Sequence, residues 1–375
     1  MVNDLTAFII ILLVAWLIIF GLYSRFKVPN VIVYPLLIIV RSNLFQQFIE
    51  TVGQRGRKFF IILSDVFLVI SSTMMIIFPL LLIVNELFGS SEFIVLNALK
   101  VYNLDTLLII LFSLFLSLVI HEFFHAILLV ANDGKIVSAG AILLAFLLLF
   151  FVETGESEFQ KLPKIKKLRV ISAGSAANLL SVGLLLPLLI FFPILISPLY
   201  TPSDGAIVLN VQSGTPASEA GIQKGDIISH IYILDSYNVI QQGFRIVKAR
   251  DLSNLIHSLN PGTNLLLNVS GELLSLQTKD IRGVTQIGVT LGDYYKRSLQ
   301  FAPILLPYYV QSLLSWIINF SITLGFINLL VFPHSDGDQL LKELLNGTKY
   351  TGVLKLFRYI ITPLSVLLLL KSIFV

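Results

Sequence analysis

The chain reads as an α-helical polytopic membrane protein of about six spanning helices, with an α/β soluble domain inserted between two of them. Three observations lead to that class. Of 375 residues, 56% are hydrophobic and 13% charged, and the mean hydropathy is +0.88, too apolar for a soluble chain. Several stretches reach the roughly 20 apolar residues that cross a hydrocarbon core about 30 Å thick. From Thr201 to Asp293 the character changes: charge returns and strand-like runs alternate with Gly and Pro turns.

Taken in order, the first apolar span runs from about Leu5 to Tyr23. No basic residue precedes it and no small-residue cleavage site follows, so it reads as an uncleaved helix. Val31–Val40 is apolar but too short to cross, is interrupted by Pro35, and is expected at the interface or as a re-entrant segment. A polar stretch ending in Arg55, Arg57 and Lys58 leads to a second span, about Phe59 to Leu87, with Pro79 inside it and Asp65 near its start. The third span is about Asp105 to Val130. Ile136–Val152 is a marginal crossing with Gly140 breaking its pattern; a re-entrant hairpin or embedded strand pair fits as well, provided protein covers the backbone.

A basic connector (Lys161, Lys164, Lys166, Lys167, Arg169) precedes the fourth span, about Val170 to Ile196. That span opens with small residues from Ser172 to Ala177, which let another helix approach closely, followed by Asn178, a polar group at membrane depth that reads as well as glue between helices as it does as a functional group. After the insert come a span from about Tyr308 to Leu330, a polar segment, and a last short span from about Phe357 to Phe374. The resulting divisions are residues 1–100 (N-terminal helices and basic loop), 101–200 (first part of a membrane core), 201–293 (insert) and 294–375 (second part of the core and the last helix).

The net charge of +4 is modest and its basic residues collect near helix ends, a pattern of membrane orientation and not of nucleic-acid binding. If positive charge stays inside, Arg25–Lys58, Lys161–Arg169 and Lys342–Arg358 face the cytoplasm, and the N-terminus and insert face the other side of the cell membrane. All three basic segments share a side only when Ile136–Val152 does not cross.

The chemistry concentrates in His121-Glu122-Phe123-Phe124-His125, inside the third span. Residues four apart share a helical face, so both imidazoles can point at one ion, and Glu122 can hold a water on the ion's open side. That is the arrangement of an H-E-x-x-H zinc site, with the Glu as general base. Ionisable groups deep in an apolar span cost about 2.5–3.5 kcal/mol each on insertion scales; a metal gives three of them a reason to be there. The alternative is a buried histidine pair satisfied by its neighbours. With no cysteine, zinc must be held by His and carboxylate.

A catalytic zinc takes three protein ligands. Glu153, Glu156 and Glu158 are available, but their surroundings read as solvated surface. Asp336 is better placed: it follows Pro333, precedes Gly337 and ends its span near the same depth, since His121 lies about 24 Å of helix beyond Asp105. His334 and Asp338 remain as substitutes.

The order of motifs resembles the site-2 protease family of intramembrane zinc proteases. The residues are the intramembrane His121-Glu122-x-x-His125, Gly174-x-x-x-Asn178, a soluble insert, then Asn328-Leu329-Leu330 leading to Pro333 and Asp336-Gly337. The chain has Val331 where the family has a first Pro, and Asp338 where it has a second Gly. The resemblance implies His121, His125 and Asp336 as ligands, Glu122 as base, and Asn178 in contact with substrate or oxyanion. It also implies an embedded hairpin near Ile136–Val152 that offers an edge to unwound substrate, and membrane-spanning protein substrates, including ones already trimmed, cut within the bilayer.

The insert resembles a PDZ domain of the bacterial protease-associated type, through Asp204-Gly205-Ala206-Ile207-Val208, Gly214 to Gly221 and Lys224-Gly225-Asp226-Ile227-Ile228. On that resemblance Gly205, Ala206 and Ile207 present backbone N–H groups to a peptide, with Leu252 to Leu259 as the helix beside the groove; the other role for the insert is a steric filter. Two rival functions are a membrane metal transporter, against which the chain shows no paired repeats, and a catalytically silent PDZ-bearing scaffold.

Overall fold

The computed structural model describes residues 2–88, 104–145, 147–281 and 283–374. The chain divides into two compact units, Met1–Leu186 with Leu314–Val375, and Pro187–Leu313. Among the described residues, five helices are long and apolar enough to cross a membrane: Arg57–Leu87, Leu104–Ala131, Ala173–Ile190, Leu306–Leu329 and Gly352–Leu369. The described apolar part of the first helix, Ile10–Arg25, is shorter. The chain is a polytopic membrane protein with a strand-rich soluble part.

In the first unit, α1 (Val2–Arg25) leads to β1 (Val31–Tyr34) and β2 (Leu37–Arg41). The helix α2 (Asn43–Arg55) begins where the Ser42 hydroxyl accepts the Phe45 N–H, and stops at Gly56 before α3 (Arg57–Phe88). Then come α4 (Leu104–Ala131), β3 (Ile136–Leu144) and β4 (Leu147–Thr154). After α5 (Glu156–Gln160), α6 (Lys164–Ile171) and α7 (Ala173–Ile190) follow with only Ser172 between them.

The stretch Ile136–Val152 is thus a strand pair, and Val31–Val40 is its partner. The four strands form one antiparallel sheet in the order β1-β2-β3-β4. Gly140, a pattern breaker in the sequence, sits where β3 crosses β2; a Cβ there would collide with the Val40 carbonyl. The two hairpin tips lie together. Ala145 N–H donates to the Leu36 carbonyl at 2.7 Å, and the Trp16 indole N–H donates to the Ala145 carbonyl at 3.0 Å. Among the described residues β4 pairs with β3 alone, so its outer edge is free.

Aromatic side chains tie this sheet to α2, and α2 to α4. Phe45 meets Phe150 edge-on with ring centroids 4.5 Å apart, and Phe48 stacks on Phe123 of α4 at 6.1 Å. Ion pairs gather at the C-terminal end of α4: Asp133 takes Arg57 at 2.7 Å and Lys166 at 2.5 Å. The Lys166 hydrogen bond, helped by the Arg57 charge, holds the Asp133 carboxyl below the usual carboxylate range. Asp65 pairs with Arg169 at 2.7 Å.

The second unit continues from α8 (Phe192–Ile196) to β5 (Tyr200–Val211) and α9 (Pro216–Glu219). Next come β6 (Ile227–Leu234), β7 (Ile240–Arg245), α10 (Ala249–Ser258), β8 (Asn264–Val269) and β9 (Glu272–Gln277). A small hairpin of β10 (Lys279–Ile281) and β11 (Val284–Gln286) precedes β12 (Val289–Arg297). The sheet runs β12-β5-β6-β8-β9, with β7 also on β6. Its core is aliphatic, built on Val208, Ile228, Ile231, Leu265 and Leu267 of the strands and Leu252 and Ile256 of α10. The amphipathic pattern of α10 places those last two residues inward one turn apart.

The chain then enters α11 (Leu306–Leu329), turns through Leu330–Ser335, and forms α12 (Asp336–Leu345). A last apolar stretch follows as α13 (Thr351–Leu356), a π-helical turn over Phe357–Ile361, and α14 (Thr362–Phe374).

Candidate metal centre

Along α4 a polar face repeats every fourth residue: Ser113, Ser117, His121 and His125. The serines are wholly buried and His121 is 5% exposed. Ser117 is joined to α11, whose Ser321 hydroxyl donates to it at 3.4 Å. The apolar remainder of α4 packs against α2, α3 and the sheet, so the imidazoles have one direction open to them, toward α6 and α7.

Those two helices meet the histidines one turn at a time. Val170, Gly174 and Asn178 stand four apart. The Val170 carbonyl lies 2.8 Å from His125 Nδ1. A carbonyl oxygen only accepts, so Nδ1 carries the hydrogen, and the lone pair of the neutral ring lies on Nε2. At the other end the Asn178 amide lies 3.2 Å from His121 Nδ1. Gly174 falls between them. A Cβ on it would stand 2.5 Å from His121 Nε2 and closer still to His125 Nε2. The missing side chain therefore leaves open the space that both Nε2 atoms face.

Asp336 closes the group from the other half of the unit. The turn before it folds back on the end of α11: Ser335 caps α12 by accepting the Asp338 N–H at 3.1 Å, and its hydroxyl donates to the Leu330 carbonyl at 2.6 Å. Gly337 allows the close approach, since a Cβ there would collide with the Leu329 carbonyl. Ser175 Oγ donates to Asp336 Oδ2 at 2.8 Å and orients it.

The outcome is a nearly equilateral triangle of ligand atoms. His121 Nε2 and His125 Nε2 are 3.3 Å apart, and each is 3.4 Å from Asp336 Oδ2. A tetrahedral zinc with bonds of about 2.0–2.1 Å separates its ligand atoms by about 3.3–3.4 Å. The residues fit that ion in donor type, spacing and free volume, with a fourth position left over. Among the described residues, these three are the His and acidic side chains whose ligand atoms converge. Glu122 is next to His121 on α4 and half-buried.

The other sequence-level candidates lie elsewhere. Glu153 accepts from Ser138 at 2.6 Å and faces Arg41, and Glu158 pairs with Lys161. Glu156 and His334 are exposed, His334 with a φ of 72°. Asp338 is buried but turned to the C-terminal helices. Its Oδ1 accepts from Arg358 Nε at 2.6 Å, and the Lys342 ammonium lies 2.5 Å from Oδ2. Ser175 and the Val170 carbonyl were not singled out from sequence. The first was hidden in a run of small residues, and the second has no side-chain signature.

In the insert, Ala206 and Ile207 sit inside β5 and not at an edge. On one side they register with Asp293 and Gly292 of β12, on the other with Ile228 and Ile227 of β6. Gly205, with a φ of 126°, directs its N–H to the Val247 carbonyl at 3.4 Å. The expectation that these three residues present free N–H groups to a peptide does not fit this register. Among the described residues the edge strand on that side of the sheet is β12, with α10 packed beside it.

A family model described as Peptidase family M50 matches residues 109–371, from the histidine helix through the insert to the last helix. No curated protein matches the chain.

Proposed function

This chain belongs to peptidase family M50, the membrane zinc metalloproteases of the site-2 protease kind, and from that footing we propose that it hydrolyses peptide bonds in or near the transmembrane segments of membrane-bound proteins. The observation that carries the reading is the triangle of His121 Nε2, His125 Nε2 and Asp336 Oδ2 at 3.3–3.4 Å. These three residues would hold zinc. When bound, the ion supplies a Lewis acid that polarises a carbonyl and acidifies a water.

The chain's own residues do the rest. Glu122 takes the attacking water's proton and returns it to the amine of the departing peptide. Ser175 and Val170 keep Asp336 and His125 aimed while the substrate changes shape. A substrate helix hides its carbonyls in internal hydrogen bonds and must unwind locally, which Gly, Pro or Asn in the substrate makes easier. The free outer edge of β4, on the strand packed against α4, is where the unwound segment would add as a further strand and regain its backbone hydrogen bonds. The insert, PDZ-like in this reading, either recruits trimmed substrates or excludes those with bulky ectodomains. The basic segments Arg25–Lys58, Lys161–Arg169 and Lys342–Arg358 face the cytoplasm, with the metal centre towards that face and the N-terminus and insert outside.

The test is cleavage of a single-span reporter by purified protein in proteoliposomes. Cleavage should be abolished by a zinc chelator and restored by added zinc. Cleavage that continues after the metal has been removed would refute the reading.

A further inference from the structure

Asn178 is wholly buried, and among the described residues its side chain has one partner, His121 Nδ1 at 3.2 Å. Among the described residues its buried Oδ1 has no hydrogen-bond partner. A buried amide left half unsatisfied is costly, so the contact with His121 is what justifies keeping Asn178 at this position. As placed, the amide nitrogen faces Nδ1. Two N–H groups cannot share that contact, so this orientation favours a neutral His121 with its proton on Nε2, against the hydrogen bond that the Gly174 backbone also makes with the ring. That proton would then point at His125 Nε2 and Asp336 Oδ2, where the metal belongs.

Exchanging the amide's oxygen and nitrogen removes the conflict, and the two are nearly indistinguishable by shape. On the zinc-site reading given above, we infer that Asn178 is a positioning residue whose Oδ1 accepts the His121 Nδ1–H and fixes the tautomer with its lone pair on Nε2. The same device is in place one step along the helix. His125 donates its Nδ1–H to the Val170 carbonyl at 2.8 Å, two turns before Asn178 and on the same face. Each histidine is thus held from behind by an oxygen acceptor, with Gly174 between the two leaving the ion's space. This role differs from a contact with substrate or oxyanion, because it acts on the metal before substrate arrives.

The test compares Asn178→Asp, which keeps an acceptor and loses the NH2, with Asn178→Leu, which keeps the bulk and loses both. Zinc content is read after dialysis against graded chelator, in detergent and without substrate. Asn178→Leu should bind zinc about 10–100-fold more weakly, while Asn178→Asp stays near wild type. The wild type gives a second reading that needs no variant. In metal-free protein with 15N-labelled histidine, His121 should appear with its hydrogen on Nδ1. Wild-type zinc retention by Asn178→Leu, equal loss in Asn178→Asp, or a hydrogen on His121 Nε2 would each overturn the inference while leaving the metal site standing. A wild type that binds no zinc would overturn the site itself, and with it this inference.

Discussion

Ser175 Oγ donates at 2.8 Å to Asp336 Oδ2, the same oxygen that faces both histidine Nε2 atoms. The two residues are 161 positions apart and on different helices, so the bond ties the two halves of the site together. Ser175→Ala frees the carboxylate to rotate. Zinc affinity should fall about 10–100-fold, the usual cost of losing an outer partner of a ligand. Chelator competition in detergent checks this, and Ser175→Thr, which keeps the hydroxyl, should lose less.

Gly174→Ala separates helix stability from metal binding. Alanine favours a helix interior over glycine by about 1 kcal/mol, so α7 itself should not suffer. The added Cβ, however, would occupy the space between the two Nε2 atoms. The variant should fold, with thermal unfolding of the metal-free form close to wild type. Its zinc content should drop to that of His125→Ala.

Asp338 and Asp336 are two residues apart and should behave oppositely. Asp338→Ala leaves Arg358, only 25% exposed, without its carboxylate. Breaking such a pair should destabilise the fold by about 3 kcal/mol, seen as a lower unfolding temperature, while protein that remains folded keeps its zinc. Asp336→Ala should reverse this, losing zinc with a smaller change in unfolding. The double variant Asp338→Leu/Arg358→Met should recover much of the stability, because neither charge is then left buried alone.

Orientation is open to direct labelling, since the native chain has no cysteine. Single cysteines at Ser218, between the ends of the insert, and Ser157, beside the basic connector, report the two sides. An impermeant thiol reagent on whole cells should label Ser218→Cys and spare Ser157→Cys. The reverse pattern would invert the assignment drawn from the basic segments.

What the sequence made legible follows from how local each signal is. The spacing of His121 and His125 is a property of one helix, so the shared face could be read directly. Asp336 could be reached by depth and neighbouring Pro and Gly, although its distance from the histidines could not. The pairing of Val31–Val40 with Ile136–Val152 joins segments about a hundred residues apart, and no periodicity within either announces the other. Gly140 carried that information, because only a glycine lets the Val40 carbonyl approach, yet in one dimension it looked like an interruption. The same non-locality hid the neighbours of Ala206 and Ile207 in the insert. One of the two strands that flank Ala206 and Ile207 is β12, which arrives after most of the domain has been written.

Glu122→Gln puts the central claim to its most direct test. The amide keeps the side chain's shape and leaves His121, His125 and Asp336 untouched, so zinc should remain at wild-type occupancy. It cannot accept the water's proton, and general-base catalysis contributes typically about 10²–10⁴-fold. Cleavage of a membrane-spanning reporter should fall by at least that order, while the uncleaved reporter still crosslinks to the protein. A Glu122→Gln variant that holds zinc and cleaves at the wild-type rate would contradict the account.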